Sequence, residues 1–260
     1  MSSRGDTATK SGPRWWVRIL SVLVVLGLLA GAAEIALRLI LPGIVAGAVR
    51  TQLKLTDDHE VEVGLGGSQL LAALGGGVGD ITIEVPDAPL IEGVSADVSV
   101  HADRVPFSVT TGEITNGTAK LTVPKERLSE FAEILTQGLA QTVEVRDGGL
   151  MVGRSMELLG QEVPLSATLG LTIVDGAVEV EPRGVAAAGF DLSAEQISGA
   201  TGGLLAPMLE SHTFCIKDRL PAGITLTDIV FSSTGSVSVK ADLNPRIASD
   251  KAQQQPGTCG

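Results

Sequence analysis

The chain has 260 residues, a formal net charge of −11, and an aromatic content of 3% that includes no tyrosine. Proteins that bind nucleic-acid bases or sugar rings usually offer aromatic stacking platforms, and an acidic chain is repelled by phosphate backbones, so the composition argues against nucleic acid as a partner. The core must be built from Val, Leu, Ile and Ala. That composition suits an aliphatic ligand, and it suits an ordinary solid core equally well.

The chain begins with a basic tail, residues 1–14, followed by an apolar segment in which Ile19–Ala33 carries no charge. Positive residues on the N-terminal flank predict that residues 1–14 stay in the cytoplasm and that the rest of the chain is exported. Two interpretations of residues 15–41 remain open. They are a retained single-pass transmembrane anchor, or a signal peptide that is cleaved near Ala30-Gly31-Ala32 and leaves a protein secreted to the periplasm.

Residues 42–247 are predicted to form one extracytoplasmic domain. A helix over residues 34–55 leads into it, with a kink expected at Pro42. From Glu60 onward apolar and polar residues alternate, a period that predicts strands. Strands are expected over residues 60–63, 80–85, 94–100 and 114–123, with a short helical turn over residues 68–74.

Pro124 opens the most regular amphipathic helix in the chain. Its apolar side chains recur at helical spacing, while acidic and amide side chains occupy the opposite face. Such a helix must lie on something apolar, and packing on the domain's own sheet is a more ordinary explanation than contact with a membrane. The apolar stripe consists of Leu128, Phe131, Ala132, Leu135 and Leu139.

Strand-like alternation returns after this helix. Asp175-Gly176 joins two alternating segments and predicts a hairpin with a type I′ turn. Ser193 and Gln196 have the spacing of a capping box and predict a second helix that runs toward Leu209. Short loops favour antiparallel pairing, so the fold class is α+β. Further strands are expected over residues 143–145, 150–152, 168–174, 177–180, 224–231 and 237–243.

The chain contains two cysteines, Cys215 and Cys259. In an oxidising compartment an isolated pair is expected to form a disulfide. The closed loop of about 45 residues would contribute roughly 3–4 kcal/mol in the chain-entropy model. It would also tie the C-terminal tail, residues 248–260, to the domain.

The sequence offers no recognisable catalytic or metal-binding pattern. His59, His101 and His212 lack the spacing of metal ligands, and no serine lies in a Gly-x-Ser-x-Gly motif. The glycine run over residues 75–79 is not followed by the Gly-Lys-Ser/Thr of a phosphate-binding loop. We therefore predict a protein that is not an enzyme and that carries neither a metal nor a cofactor.

Three stretches carry a family resemblance. They are the apolar segment with its following helix, residues 68–85, and Cys215 followed by residues 220–226 and Gly257-Thr258-Cys259. Together they resemble the LmeA-like phospholipid-binding family of actinobacterial cell-envelope proteins. The resemblance implies a fold similar to tubular lipid-binding domains, in which a long, twisted antiparallel sheet wraps around amphipathic helices.

We therefore expect an envelope protein that binds a phospholipid or related lipid in an apolar cavity and supports the assembly of envelope lipids or lipoglycans. Two alternatives remain open: a solid structural or interaction module, and an enzyme that modifies envelope lipids or glycans, which would need a cleft with clustered carboxylates. No headgroup ligand or protein partner is indicated. The residues predicted to line the cavity are Leu70, Leu74, Leu128, Phe131, Leu135, Leu139, Leu204, Leu205, Met208 and Leu209.

Overall fold

The computed structural model describes residues 15–91, 94–135, 140–158, 161–187, 190–193, 196, 199 and 210–259. In these ranges the fold is α+β, as predicted, with a long N-terminal helix and long antiparallel strands. The helices are α1 (Trp15–Leu53), α2 (Gln69–Leu74), α3 (Leu128–Leu135) and α4 (Lys251–Gln254). The strands are β1 (Glu62–Leu65), β2 (Gly77–Ile91), β3 (Val94–Pro106), β4 (Gly117–Val123), β5 (Thr142–Arg146), β6 (Gly149–Leu158), β7 (Gln161–Val174), β8 (Ala177–Ala187), β9 (Phe190–Ser193), β10 (His212–Phe214), β11 (Ile224–Phe231) and β12 (Val237–Leu243).

The strands form two open sheets. The first sheet has the order β1-β2-β3-β4-β12-β11, and the second has the order β10-β8-β7-β6-β5, with β9 also pairing with β8. Three strands are unusually long: β2, β3 and β7 have 15, 13 and 14 residues, against a typical length of about 5–6. Long strands give each sheet an extended surface on which a lengthy ligand or several helices can lie.

Helix α1 has two parts with different surroundings. Side chains over residues 19–33 are exposed or half-buried, and the helix is long and apolar enough to cross a membrane. The helix continues through Pro42, where a kink was predicted. On either side of Pro42, Leu41 and Val45 pack against a core of the first sheet that contains Ile81, and Ala46 is buried. The second part of α1 therefore belongs to the domain.

Helix α2 is fixed to the first sheet by Gln69, whose side chain is fully buried. Its amide nitrogen donates to the carbonyl oxygens of Gly66 at 2.6 Å and Gly79 at 2.9 Å, and the Gly79 N–H donates to its amide oxygen at 3.3 Å. Strand β1 has already ended at Leu65. The Gln69 amide thus takes the place of a neighbouring strand and forms the hydrogen bonds that the backbone of β2 needs at Gly79.

Helix α3 closes the junction between the two sheets. Leu128 is buried in a cluster that contains Val123 of β4 and Val143 of β5. The Ser129 hydroxyl also accepts a hydrogen bond from the Val143 N–H at 3.2 Å. The predicted amphipathic helix therefore packs on the domain's own sheets. Its predicted continuation over residues 136–139 lies outside the described residues.

Three local predictions are confirmed by the structure. Asp175 and Gly176 both have positive φ, 52° and 73°, as the type I′ turn of the β7–β8 hairpin requires. Ser193 and Gln196 form the reciprocal hydrogen bonds of a capping box, although the helix predicted to follow lies mostly outside the described residues. Cys215 and Cys259 form a disulfide, with their Cα atoms 5.9 Å apart.

Candidate lipid-binding site

One face of the second sheet carries an apolar strip. Strand pairing sets Val152 of β6 beside Ala167 of β7, and Ala167 beside Val185 of β8. Two residues further along these strands, Leu150 of β6 is paired with Leu169 of β7. Because successive side chains of a strand point to opposite faces, these residues share one face across three strands.

This strip forms a shallow groove with a volume of about 300 Å³, which we call the second-sheet groove. Val185 is 40% exposed, and Leu192 of β9, its pairing partner, is 49% exposed. A contiguous exposed apolar surface on a folded domain marks a site for a ligand, a membrane or a partner protein. The groove is lined by Val152, Gly153, Arg154, Leu165, Ser166, Ala167, Leu169 and Val185.

Arg154 is the one charged residue in this lining. It lies two residues beyond Val152 on the same face of β6 and is paired with Leu165 of β7. Its guanidinium forms no ion pair with any residue that the structure describes. A guanidinium at the end of an apolar strip matches an amphiphile whose headgroup carries a phosphate, because it can donate two parallel hydrogen bonds to phosphate oxygens.

Arg154 was not among the predicted site residues, although the alternation of apolar residues along β6 indicates it. Residues at alternate positions of β6, Leu150 and Val152, are apolar, and Arg154 breaks that alternation on the face that should be buried. Arg154 is exposed, so its charge stays in water, and the break in the alternation marks where the apolar part of this face ends.

A second groove, with a volume of about 450 Å³, is lined in part by residues of the opposite, more polar face. Its lining includes Arg146, Thr168 and Arg183. The Arg183 guanidinium is already engaged, because it contacts a Glu181 carboxylate oxygen at 3.4 Å and donates to the Gly148 carbonyl oxygen at 3.4 Å. The polar lining suits an acyl chain poorly, so the second-sheet groove is the better candidate for lipid.

The structure places the predicted cavity residues in different regions. Leu70 and Leu74 belong to α2, where β3 ends at Pro106, and Leu74 is 79% exposed. Leu128 is buried near Ala96, at the start of β3. Ten residues of strand separate these positions by on the order of 30 Å. A single cavity could include both sets only if it ran the length of the first sheet.

The other predicted cavity residues cannot be placed around either groove. Phe131 and Leu135 belong to α3, but their side chains lie outside the described part of the structure. The remaining predicted cavity residues lie entirely outside the described part of the structure; they are Leu139, Leu204, Leu205, Met208 and Leu209.

Two of the three histidines, His59 and His101, have hydrogen-bonding contacts in the structure. The His59 ring nitrogen Nε2 lies 2.8 Å from the Pro86 carbonyl oxygen, and His101 Nδ1 lies 3.1 Å from the Thr82 hydroxyl. The described residues contain no group of three His, Cys, Asp or Glu side chains arranged to hold a metal ion.

A family model described as LmeA-like phospholipid-binding matches residues 32–239. The match includes the second part of α1, both sheets and α3. The chain belongs to the LmeA-like phospholipid-binding family. No curated protein and no solved structure matches this chain at a significant level.

The start of the LmeA-like match coincides with a structural boundary. Residue 32 lies two positions before Glu34, the first residue of α1 whose side chain bonds to the domain. The uncharged run over residues 19–31 lies outside the match. The LmeA-like unit therefore includes the packed part of α1, and membership in the family supports a phospholipid as its ligand.

Proposed function

We propose that this LmeA-like protein is exported and holds one phospholipid in the second-sheet groove, without chemically changing it. An acyl chain lies along Val152, Ala167 and Val185, and the phosphate approaches Arg154. The observation that carries the proposal is the half-buried apolar strip, exposed at Val185, that ends at Arg154, whose guanidinium forms no ion pair with a described residue. Holding lipid in this way supports the assembly of envelope lipids or lipoglycans.

The groove has room for part of one acyl chain, and the burial of that part is favourable. A volume of about 300 Å³ falls at the lower end of the range for ligand pockets. Each buried methylene contributes about 0.8 kcal/mol, so ten methylenes would offer about 8 kcal/mol before the cost of immobilising the lipid. Leu204, Leu205, Met208 and Leu209 lie outside the described residues, and we keep them as proposed lipid contacts.

Export and anchoring are part of the same proposal. The basic residues 1–14 stay in the cytoplasm, an anchor within residues 15–41 crosses the membrane once, and the domain with its disulfide lies on the extracytoplasmic side. Because the family match begins at residue 32, cleavage near Ala30-Gly31-Ala32 would release an intact domain to the periplasm. We propose the retained anchor, since α1 is long and apolar enough to cross a membrane, and cleavage is the alternative.

The proposal is tested by native mass spectrometry of the full chain, purified in detergent from a lipid-containing host, with extraction and identification of bound lipid. We expect one phospholipid per chain. A chain that is free of lipid and stays so after exposure to phospholipid vesicles would favour an interaction module instead. Extraction of a chemically altered lipid would favour an enzyme.

Replacing Arg154 with glutamine is expected to lower the affinity for phosphatidylglycerol about tenfold, because hydrogen bonds to a charged group contribute about 1.5 kcal/mol or more. The affinity for diacylglycerol, which has no phosphate, should stay unchanged. Both affinities are measured by competition against a fluorescent phospholipid. Arg146→Gln, an exposed arginine of β5 outside the second-sheet groove, is the matched control. Equal losses for both lipids would rule out a phosphate contact at Arg154.

A further inference from the structure

One end of the first sheet exposes four large apolar side chains, which we call the α2 patch. Leu71 and Leu74 of α2 are 70% and 79% exposed, and Phe107 and Val109 are 59% and 42% exposed. The Phe107 N–H donates to the Gly76 carbonyl oxygen at 3.0 Å, which ties the segment after β3 to the end of α2. The patch is thus one feature built from two chain segments.

The two segments of the α2 patch contain no charged side chain. Residues 64–79 and residues 105–112 are free of Asp, Glu, Lys, Arg and His. This is unusual in a chain whose residues after 41 carry nearly all of its acidic side chains. The Arg104 guanidinium, which donates to the Gly75 carbonyl oxygen, lies beside the patch. The apolar side chains of the two segments can themselves enter lipid without burying an ionised group, which would be costly.

The α2 patch is rigidly joined to the apolar helix. The Glu34 carboxylate accepts hydrogen bonds from the N–H groups of Gln69 at 2.9 Å and Leu70 at 2.7 Å, and from the Ser68 hydroxyl at 3.0 Å. Arg38 pairs with Glu34 at 2.8 Å and also donates to the Gly67 carbonyl oxygen. Glu34 follows directly on the uncharged run over residues 19–33. The patch therefore lies within about one helical turn of the point where that run ends.

We propose that the α2 patch is a membrane-docking surface that inserts into the outer face of the bilayer in which α1 is anchored. The proposal rests on the anchoring part of the proposed function. If the membrane-spanning part of α1 covers residues 15–33, its length is about 28 Å, close to the thickness of the hydrocarbon core. Glu34 then lies at the membrane surface, and the α2 segment bonded to Glu34 lies there as well. Burial of Leu71, Leu74 and Phe107 among the headgroups then removes apolar surface from water and seats this end of the first sheet on the membrane.

The test uses the full chain in vesicles of phosphatidylcholine and phosphatidylglycerol. A single cysteine at position 74 or 107 (Leu74→Cys, Phe107→Cys) is labelled with a fluorophore, and quenching by spin-labelled lipids is measured. The two native cysteines are joined in a disulfide, so only the new cysteine reacts. Ser233→Cys, exposed in the turn at the opposite end of the first sheet, is the control outside the membrane, and Leu26→Cys reports on the anchor.

Labels at positions 26, 74 and 107 are expected to be quenched, and the label at position 233 is not. Quenching at 26 without quenching at 74 and 107 overturns docking and leaves the anchor intact. Quenching at 74 and 107 without quenching at 26 supports docking and overturns the anchor. If none of the labels at positions 26, 74 and 107 is quenched, both the docking and the anchor are overturned.

A second variant separates docking from mere proximity to α1. In Leu71→Ser/Leu74→Ser chains labelled at position 107, quenching should fall to the level measured at position 233. Both leucines are exposed, so the far-UV circular dichroism spectrum should not change. Undiminished quenching at position 107 would show that the patch does not hold the domain on the bilayer.

Discussion

Replacing Val185 with aspartate is expected to abolish phospholipid binding while the domain stays folded. Val185 is 40% exposed, so the new carboxylate remains in contact with water in the lipid-free protein. In the complex the same carboxylate would lie against an acyl chain. Burying an unpaired charge or polar group in this way costs on the order of 3 kcal/mol or more, which corresponds to a loss of affinity of about a hundredfold.

Val174→Asp provides a matched control on the same sheet. Val174 is 45% exposed and ends β7 next to the Asp175-Gly176 turn. It lies seven positions after Ala167 on β7. Because successive side chains of a strand alternate between faces, its side chain lies on the opposite face from the second-sheet groove. The two variants change the same residue type, at similar exposure, to the same charge. They place that charge on opposite faces of the second sheet.

The measurement is the mass of phospholipid that remains bound to each full-length variant, together with a thermal unfolding curve followed by circular dichroism. We expect Val174→Asp to retain lipid and Val185→Asp to lose it, with similar unfolding temperatures. Retention of lipid by Val185→Asp would exclude the second-sheet groove as the site. Loss of lipid by both variants would point to a general effect of added negative charge.

Local features of the fold could be predicted because their causes are local. The hairpin at Asp175-Gly176 follows from two residues that accept positive φ, and the capping box at Ser193 and Gln196 follows from a fixed spacing. The apolar stripe of α3 likewise predicted burial, and Leu128 is buried at the junction of the sheets. Alternation identified most strands, and the bounds of β11 and β12 are as predicted. β2 is longer than predicted because it continues through Pro86 and Pro89, and β4 is shorter because it begins at Gly117.

The second-sheet groove could not be predicted, because it depends on which strands are neighbours. Val152, Ala167 and Val185 look like ordinary strand residues until strand pairing sets them side by side. The division into two sheets was likewise invisible, since alternation gives the faces of a strand but not its partners. The candidate residues chosen from sequence came from helices, where periodicity marks an apolar face directly.

The boundary between anchor and domain was also not predicted from the sequence. The anchor was predicted to end at residue 41, before Pro42, although Glu34 and Arg38 already interrupt the apolar sequence of α1. The structure shows that the contacts of Glu34 and Arg38 with α2 begin before this proline. An apolar helix can face lipid or a protein core, and only the positions of its partners distinguish the two.

Replacing Gln69 with leucine is expected to lower the free energy of unfolding by about 3 kcal/mol, although leucine has a similar size and favours helices. The Gln69 amide bonds to the Gly66 carbonyl and to both the carbonyl and the N–H of Gly79. Each buried backbone group left without a partner costs about 1–3 kcal/mol. The polar side chain is required because it extends the ladder of β2 past the end of β1.

Gln52→Leu is the matched control, because Gln52 is exposed on α1 and the same substitution there should change stability by less than about 0.5 kcal/mol. Urea unfolding is followed by far-UV circular dichroism, since both tryptophans, Trp15 and Trp16, precede the domain and their fluorescence would not report on it. Hydrogen exchange should show faster exchange at Gly79 in Gln69→Leu than in Gln52→Leu. If both variants unfold at the same urea concentration, water replaces the Gln69 amide without cost, and α2 is held to the sheet by Glu34 instead.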